Sequence, residues 1–372
     1  MEISSTSSEF NLRLEERDRL AYFELLHEGF TRAAQAAGSF KYFYNIGPFT
    51  VCLHFAGKGL IPQITPAISH LKVEHLANPD LTICLWDTVS TNTSLPLLIN
   101  SLQELIQLHW TDYLGPRKEI KGYDGDRIRT SFHIGPNILS ALDQDQNLAC
   151  YWIDNADNIP YWERGSPLQT ILNWWTTAHY HQYIHAGAIG TIEGGVLLAG
   201  KGGSGKSSTA LACINSPLLY ASDDYCLVTT SPKPYVYSLY NTAKLRGKED
   251  LERFPNLVPL IDNLEHIEQE KLMLFLHRHH SEKIVRGFPI KAILVPQVTG
   301  KPQTYLRTIT SGATLKALAP STIFQLAGSG KLALTIMSNL VKQVPCYSLE
   351  LGVNIAQIPE TIFQLLESLG KR

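Results

Sequence analysis

Long apolar segments are absent from this sequence of 372 residues. No window reaches the roughly 18 to 20 uninterrupted apolar residues that a membrane-spanning helix needs. The opening stretch, MEISSTSSEFNLRLEERDRL, also lacks the basic front and apolar run of a signal peptide. We therefore expect no membrane partner and a cytoplasmic location.

A surplus of positive charge is absent as well. Lysine and arginine total 32 against 34 acidic residues, which gives a net charge of −2. Nucleic-acid-binding domains normally carry a basic surplus that neutralises phosphates. The balance therefore predicts no nucleic-acid partner and argues against a nucleic-acid-remodelling motor.

Cysteine is sparse, and its spacing forms no recognisable framework. The six cysteines are scattered, and none stands in a CxxC pair. This pattern favours buried, reduced thiols over a disulfide scaffold or a cysteine-based zinc site.

What the chain does contain is material for packed cores, with 44% apolar and 18% charged residues. The length suits two domains. We predict a mixed α/β N-terminal domain over residues 1–165 and a second α/β domain over 166–372, with the boundary in an aromatic, Asp- and Pro-rich stretch. In the first half, the residue patterns predict helices at Leu14–Phe30 and Leu97–Trp110 and strands at Phe49–Phe55 and Leu81–Trp86.

The second half contains a strand, a glycine loop, a helix and a strand in succession. A helix is predicted at Leu168–Tyr183, followed by a buried strand at Gly194–Gly200, a helix at Ser207–Ile214 and a strand at Leu218–Asp224. This order is typical of a phosphate-binding α/β unit. Further strands (KAILVPQVTG and VPCYSLELG) and helices (SGATLKALAPSTIFQLAG and Ile358–Leu369) complete the predicted domain.

The glycine loop, GKGGSGKS, fits the P-loop pattern GxxxxGK[ST] without a mismatch. Its glycines let successive backbone N–H groups face one phosphate, and the following helix begins at its positive end. Lys206 can reach the β and γ phosphates, and the Ser207 hydroxyl can bind Mg²⁺. The pattern predicts nucleotide binding by Gly200, Gly202, Gly203, Ser204, Gly205, Lys206, Ser207 and Ser208.

Two adjacent acids, Asp223 and Asp224, end the strand that follows the P-loop helix. A P-loop enzyme needs a carboxylate near this point for Mg²⁺. Two acids allow one to serve the metal while the other accepts a proton from an attacking hydroxyl. The alternative is that one of the two is an ordinary turn residue.

His185 precedes the P-loop strand, and on the residues alone it is either structural or a partner at the catalytic centre. A zinc site built from His179, His181 and His185 is disfavoured because their spacing does not place all three on one helix face. Phosphoryl transfer also requires a cation from outside the P-loop. Lys244, Arg246, Lys283 and Arg286 are all candidates, and the sequence does not choose among them.

The segment from His185 to Asp224 resembles the kinase domain of the HPr kinase/phosphorylase family. In that family a histidine stands ten residues before the glycine that opens the P-loop strand, as His185 does before Gly195, and an Asp-Asp pair follows the P-loop helix. The resemblance implies a fold like that of phosphoenolpyruvate carboxykinase. It also implies roles: Asp224 as general base, His185 assisting at the same centre, Asp223 supporting Mg²⁺ or the base, and ATP as the nucleotide.

Departures from the family pattern shape the expected substrate. Ser208 stands where the family usually has an acidic residue, and the family's glycine-rich signature is missing downstream. The resemblance is therefore to divergent, HPr-kinase-like kinases that phosphorylate a small-molecule hydroxyl or a peptide or protein serine in biosynthetic pathways. By analogy with the family we also expect a homo-oligomer.

Two rival functions stay open at this point. One is a non-catalytic regulator that nucleotide binding switches, and the other is a simple ATPase. The His185 and Asp223–Asp224 arrangement favours the kinase, because a switch has less need of a base.

Overall fold

The structure is a computed structural model that describes residues 14–75, 77–96, 113–324 and 330–371. The helix predicted at Leu97–Trp110 lies outside these residues. The described chain is a mixed α/β protein with parallel and antiparallel strand pairs. Within it, no helix combines the length and apolarity needed to cross a membrane.

Helices occur along the whole described chain. They are α1 (Glu16–Ala37), α2 (Ile61–Ile64), α3 (Thr88–Thr91), α4 (Tyr161–Gly165), α5 (Gln169–Ala178), α6 (Lys206–Ala212), α7 (Gly247–Arg253), α8 (Ser311–Ile323), α9 (Lys331–Gln343) and α10 (Gln357–Gly370). Short 3₁₀ segments lie at Pro66–Leu71, Ala156–Asn158, Pro255–Leu260, Leu264–His266, Leu276–Arg278 and Ser281–Lys283.

The strands of the described residues form three sheets. They are β1 (Ser39–Ile46), β2 (Phe49–Ala56), β3 (Lys72–Val73), β4 (Leu81–Asp87), β5 (Ile128–His133), β6 (Ile138–Asp143), β7 (Leu148–Ile153), β8 (Gln182–Ile184), β9 (Gly187–Thr191), β10 (Gly194–Leu198), β11 (Leu219–Ser222), β12 (Cys226–Thr229), β13 (Tyr235–Ser238), β14 (Thr242–Leu245), β15 (Leu272–Phe275), β16 (Gly287–Val298), β17 (Tyr305–Thr308) and β18 (Cys346–Leu351). The first sheet has the order β3-β1-β2-β4-β7-β6-β5. The second has the order β11-β9-β10-β16-β13-β12-β8, with β18 on β16 and β17 on β18, and the third is the two-stranded β14–β15 sheet.

The described residues group into two compact units. The first contains those within 1–41, 52–61 and 80–159, and the second contains those within 42–51, 62–79 and 160–372. In the first unit, α1 buries one apolar face (Tyr22, Phe23, Leu26, Phe30 and Ala33) in a core shared with Trp86 and Trp152. Its residues recur every three or four positions, which is the spacing of one helix face.

In the second unit the P-loop strand β10 is buried on both sides. Val196 and Leu198 belong to one core with α6 and α10, while Leu197 and Ala199 belong to another with α8 and α9. Successive side chains of a strand point to opposite faces, so a strand between two helical layers is apolar throughout. This explains the unbroken run that predicted the strand.

The order of strands around β10 brings three separate segments to one edge. Strand β9 lies antiparallel to both β10 and β11, so β10 and β11 run in the same direction with β9 between them. The loop after β10 and the acids after β11 therefore meet at the edge where β9 begins. His185 stands just before β9 and is brought to the same place.

Most predicted elements agree with the structure, with boundaries shifted by a few residues, although the first helix, predicted to end at Phe30, continues to Ala37. The helix predicted at Leu168–Tyr183 is wrong in its second part, because α5 ends at Ala178. There the N–H groups of Tyr180 and His181 donate to the carbonyls of Thr177 and Thr176, and Tyr180 has a φ of 60°. This is a Schellman-type stop with tyrosine in the position usually taken by glycine.

Candidate functional site

The glycine loop turns tightly between β10 and α6. Gly200, Gly203 and Gly205 have φ values of 154°, 82° and 102°, a region that residues with a Cβ rarely adopt. Lys206 is buried, and its Nζ donates to the carbonyl of Gly200 at 2.6 Å and to that of Lys201 at 3.3 Å. Burial lowers the pKa of the Lys206 ammonium, which is the direction expected for a cation that lacks a full set of solvent contacts.

The face of the loop toward the cleft is open. A Cβ built on Gly202 or Gly203 would meet only the Arg246 guanidinium, at 3.4 Å and 3.8 Å respectively. Ser207 and Ser208 also line this cleft, whose volume is about 210 Å³. Ser204 Oγ is buried and has no hydrogen-bond partner among the described residues.

Asp223 is almost fully buried behind the P-loop serines. Its Oδ2 accepts a hydrogen bond from the Lys244 backbone N–H at 3.1 Å. Its Oδ1 makes no hydrogen bond of good geometry among the described residues, although the Ser207 hydroxyl lies close enough to lower the pKa of Asp223. Burial, and then the neighbouring charge of Asp224, raise the pKa of Asp223 to about 6. A buried oxygen that accepts no well-formed hydrogen bond, in a carboxyl group whose charge is poorly compensated, is suited to a cation.

Asp224 lies between two nitrogen donors. His185 Nε2 is 2.8 Å from its Oδ1, and Lys244 Nζ is 2.5 Å from its Oδ2. Burial alone would raise the pKa of Asp224, but the Lys244 ammonium and the His185 contact outweigh it and hold this pKa well below its usual range. The carboxylate therefore stays ionised and fixed in orientation.

Both partners of Asp224 are themselves held in place. The backbone N–H of His185 donates to Thr322 Oγ1 at 3.2 Å, and the imidazole lies against the Tyr225 ring. Lys244 Nζ also donates to Ser166 Oγ at 3.3 Å. These contacts define the triad of this site, His185, Asp224 and Lys244.

The structure separates the four cations that the sequence left open. Lys244 and Arg246 line the cleft. Lys283 Nζ instead donates to the Ser216 carbonyl at 2.7 Å, and Arg286 is not among the cleft-lining residues.

Two cations of the cleft, Arg253 and Lys271, were missed by the sequence analysis. Lys271 lies 47 positions after Asp224 in sequence and reaches the cleft through strand pairing. The alternation of side chains along a strand gave one usable signal in the sequence. Lys244 and Arg246 are two positions apart, so they share a face of β14 and of the chain that continues it. The pairing of β14 with β15, which adds Lys271 to that face, is invisible in local periodicity.

The sequence-predicted residues fit a magnesium-bound nucleotide. The Ser207 hydroxyl and the unpartnered Asp223 Oδ1 are oxygen donors beside the same cleft, and Mg²⁺ prefers such donors. The open backbone of Gly202 and Gly203 with Lys206 suits an anionic chain of phosphates. Gly200, Ser204 and Gly205 shape the same loop.

The two histidines considered with His185 for a zinc site, His179 and His181, have backbone partners instead. His179 Nδ1 and His181 Nδ1 lie 2.8 Å from the carbonyls of Trp175 and His179. Within the part of the chain that the structure describes, no three His, Cys, Asp or Glu side chains form a metal-binding group.

Comparison with known proteins gives a distant structural likeness. No protein-family model matches the chain, and no curated protein matches it. Among solved structures, the chain is similar to the HPr(Ser) kinase/phosphatase from Coxiella burnetii, with 14% identity, a TM-score of 0.31, and coverage of 51% of this chain and 99% of that one. So low a score carries no functional assignment, which has to rest on the residues of the cleft.

Proposed function

We propose that the protein is a magnesium- and ATP-dependent phosphotransferase that moves a γ-phosphate to a hydroxyl group. The observation that supports this most is an ionised carboxylate, Asp224, fixed between His185 and Lys244 at the edge of a cleft formed by a P-loop. A P-loop alone suits any nucleotide-binding protein. A carboxylate prepared to accept a proton beside it is needed specifically for transfer to a hydroxyl.

On the nucleotide side, the chain supplies positive charge and oxygen ligands. Lys206 and the loop N–H groups would neutralise the phosphates, and Ser207 and Asp223 would hold the metal. Magnesium, when bound, would neutralise charge on the phosphate oxygens and orient them for transfer. Arg246 lies over the glycines of the loop and adds a further cation.

On the acceptor side, Asp224 orients the incoming hydroxyl and takes its proton late in the transfer. Its depressed pKa makes it a weak base but keeps it charged, which suits phosphoryl transfer because that reaction depends mainly on positioning and charge neutralisation. His185 and Lys244 hold the two carboxylate oxygens, so the group cannot rotate away from the cleft.

The proposal extends to domain and substrate. We assign catalysis to a kinase domain over residues 166–372 of the HPr kinase and phosphoenolpyruvate carboxykinase type, and acceptor recognition or an interface to residues 1–165. The acceptor is a small molecule or a peptide or protein serine, in a biosynthetic pathway. A cytoplasmic homo-oligomer without nucleic-acid or membrane partners completes this proposal.

The test is ADP formation from Mg-ATP by the purified chain with a panel of small metabolites, seryl peptides and HPr. The proposal expects one acceptor class to stimulate ADP formation and to gain one phosphate by mass spectrometry. A Lys206→Met variant serves as the control for contaminating kinases. If ATP binds but no acceptor gains phosphate, a nucleotide-switched regulator replaces the kinase. If ADP forms with no acceptor present, a simple ATPase does.

A further inference from the structure

Two cations face each other where the two-stranded β14–β15 sheet ends beside the cleft. The last pairs of its register are Lys244 with Met273 and Leu245 with Leu272. Continuing that register by one position sets Arg246 opposite Lys271, and both side chains line the cleft. Like charges directly opposite on paired strands are destabilising, so this arrangement costs stability unless something compensates it.

Within the described residues, no carboxylate forms a salt bridge with either of these two side chains. Lys244 is paired with Asp224, and Arg253 lies 3.6 Å from Asp250. In the described chain, by contrast, neither the Arg246 guanidinium nor Lys271 Nζ has a hydrogen-bond or ion-pair partner. These two side chains are named here the Arg246–Lys271 pair.

The pair spans the space between the phosphate loop and the acceptor carboxylate. The Arg246 guanidinium reaches the glycines of the loop, 3.4 Å from where a Gly202 Cβ would stand. Lys271 is half-buried, and burial lowers the pKa of its ammonium, against which the nearby charge of Asp224 acts. One end of the pair therefore adjoins the P-loop, and the other adjoins the triad.

We propose that the Arg246–Lys271 pair is an oxyanion subsite, shaped for a phosphate-type dianion that lies between the P-loop and Asp224. The inference rests on the nucleotide site proposed above. Two sources offer the same chemistry: the terminal phosphate of the nucleotide, or an anionic group carried by the acceptor.

Calorimetric binding separates these two sources. The wild type and the Lys271→Gln and Arg246→Gln variants are titrated with ADP and with the β,γ-imido analogue of ATP, in the presence of Mg²⁺. Inorganic phosphate is then titrated into protein already loaded with the analogue. Lys271→Arg keeps the charge, and Lys248→Gln removes a nearby lysine that is paired at the surface with Glu268.

If the subsite holds the terminal phosphate, Lys271→Gln weakens the analogue about tenfold while ADP affinity changes by less than about twofold. If it holds an acceptor group, analogue-loaded wild type still binds inorganic phosphate, and Lys271→Gln loses that binding about tenfold. Lys271→Arg retains most of the affinity in either case.

The subsite is refuted if Lys271→Gln and Arg246→Gln bind the analogue and inorganic phosphate as Lys248→Gln does, within about twofold. Circular dichroism on each variant identifies any loss of folding. If a glutamine variant does not fold, anion binding is measured with Lys271→Arg instead. The readout is binding, so it is independent of transfer. If phosphate transfer is observed but the Lys271→Gln and Arg246→Gln variants bind anions normally, only the subsite is refuted. If the variants lose anion binding but no acceptor is ever phosphorylated, only the kinase function is refuted.

Discussion

At the residue scale, the Lys244 ammonium group keeps Asp224 ionised and fixed in orientation. Lys244 Nζ bonds both to Asp224 Oδ2 and to Ser166 Oγ, and its chain passes close to Gly165. A Cβ on Gly165 would lie 3.1 Å from Lys244 Cε and 3.0 Å from Met273 Sδ. Gly165 and Ser166 are therefore positioning residues that act through Lys244.

We predict that Ser166→Ala lowers kcat for phosphoryl transfer about tenfold, by roughly the worth of one hydrogen bond to a charged group, about 1.5 kcal/mol. Gly165→Ala should have a similar effect because its new methyl group displaces the Lys244 stem. In both variants the KM for ATP should change little, since the P-loop is untouched. Steady-state kinetics with the identified acceptor measure this.

Ser281→Ala, at an exposed site in the second unit, is the matched control. A general loss of folding would reduce the amount of active enzyme, and it would appear as a lower melting temperature. Unchanged kcat in both Ser166→Ala and Gly165→Ala would show that Lys244 does not depend on these neighbours.

The sequence predicted part of this site because part of it is local. The P-loop residues and the Asp223–Asp224 pair follow from motif and chain order, and His185 came from a family resemblance. Lys271, Arg253 and Ser166 could not be found in the same way, because they reach the cleft through strand pairing and loop packing. The sequence could not favour Lys244 and Arg246 over Lys283 and Arg286, because that choice depends on how β14 pairs with β15.

At the element scale, close backbone contact between β9 and β10 fixes the position of the strand that leads into the P-loop. A Cβ on Gly195 would lie 2.4 Å from Phe288 Cε2 and 2.5 Å from the Ile189 carbonyl oxygen. One of these neighbours is backbone and the other is a buried ring, so neither can move cheaply. Glycine at this point allows β10 to lie between β9 and β16.

We therefore predict that Gly195→Ala destabilises the second unit by about 1–3 kcal/mol, as overpacking a rigid core does. Gly312→Ala is the contrasting substitution, because its Cβ would meet only Thr310 Oγ1 at 4.0 Å within the first turn of α8. That variant should be neutral or slightly stabilising. Urea unfolding of the two variants and the wild type compares them, and equal midpoints for all three would contradict the packing account.

Helices and strands were predicted correctly where one hydrophobic period dominates the segment. They were missed where tertiary contacts decide the local structure. The buried run of β10 and the amphipathic α10 were predicted close to their observed bounds. Helix α9 and the antiparallel strands β5 to β7 were not predicted. The end of α5 was missed because its stop uses a tyrosine at positive φ, where only glycine or asparagine gives a sequence signal.

At the scale of the whole molecule, a half-buried histidine links folding to pH. His70 Nε2 lies 2.7 Å from Ser238 Oγ, with Asn241, His277 and Arg286 nearby. Burial, and then the charges of His277 and Arg286, lower the pKa of His70 from 6.5 to about 3. The folded state therefore resists protonation of His70, whereas the unfolded chain accepts a proton near its ordinary pKa.

Between these two pKa values the unfolded state binds more protons than the folded state, so stability rises with pH. The contribution of neutral His70 to stability is therefore full above about pH 6.5 and is lost progressively as the pH falls toward about 3. We predict that His70→Gln is less stable than the wild type at about pH 7.5 and that the gap narrows by about pH 5. Thermal unfolding at both pH values measures this, with His279→Gln, at an exposed site, as the control. A gap that is constant with pH would contradict the assignment.

The proposed role of Asp224 is in transfer rather than in nucleotide binding, and the Asp224→Asn variant separates these two roles. Asp224→Asn keeps the shape of the side chain but removes its charge and its capacity to accept a proton. In this variant, phosphate transfer should fall by about 10²–10⁴-fold, as for loss of a general base. ATP should bind at least as tightly as before, because a negative charge near the phosphates is gone. Transfer retained within about tenfold of the wild type, measured beside ATP binding on the same preparation, would contradict the proposed role of the carboxylate.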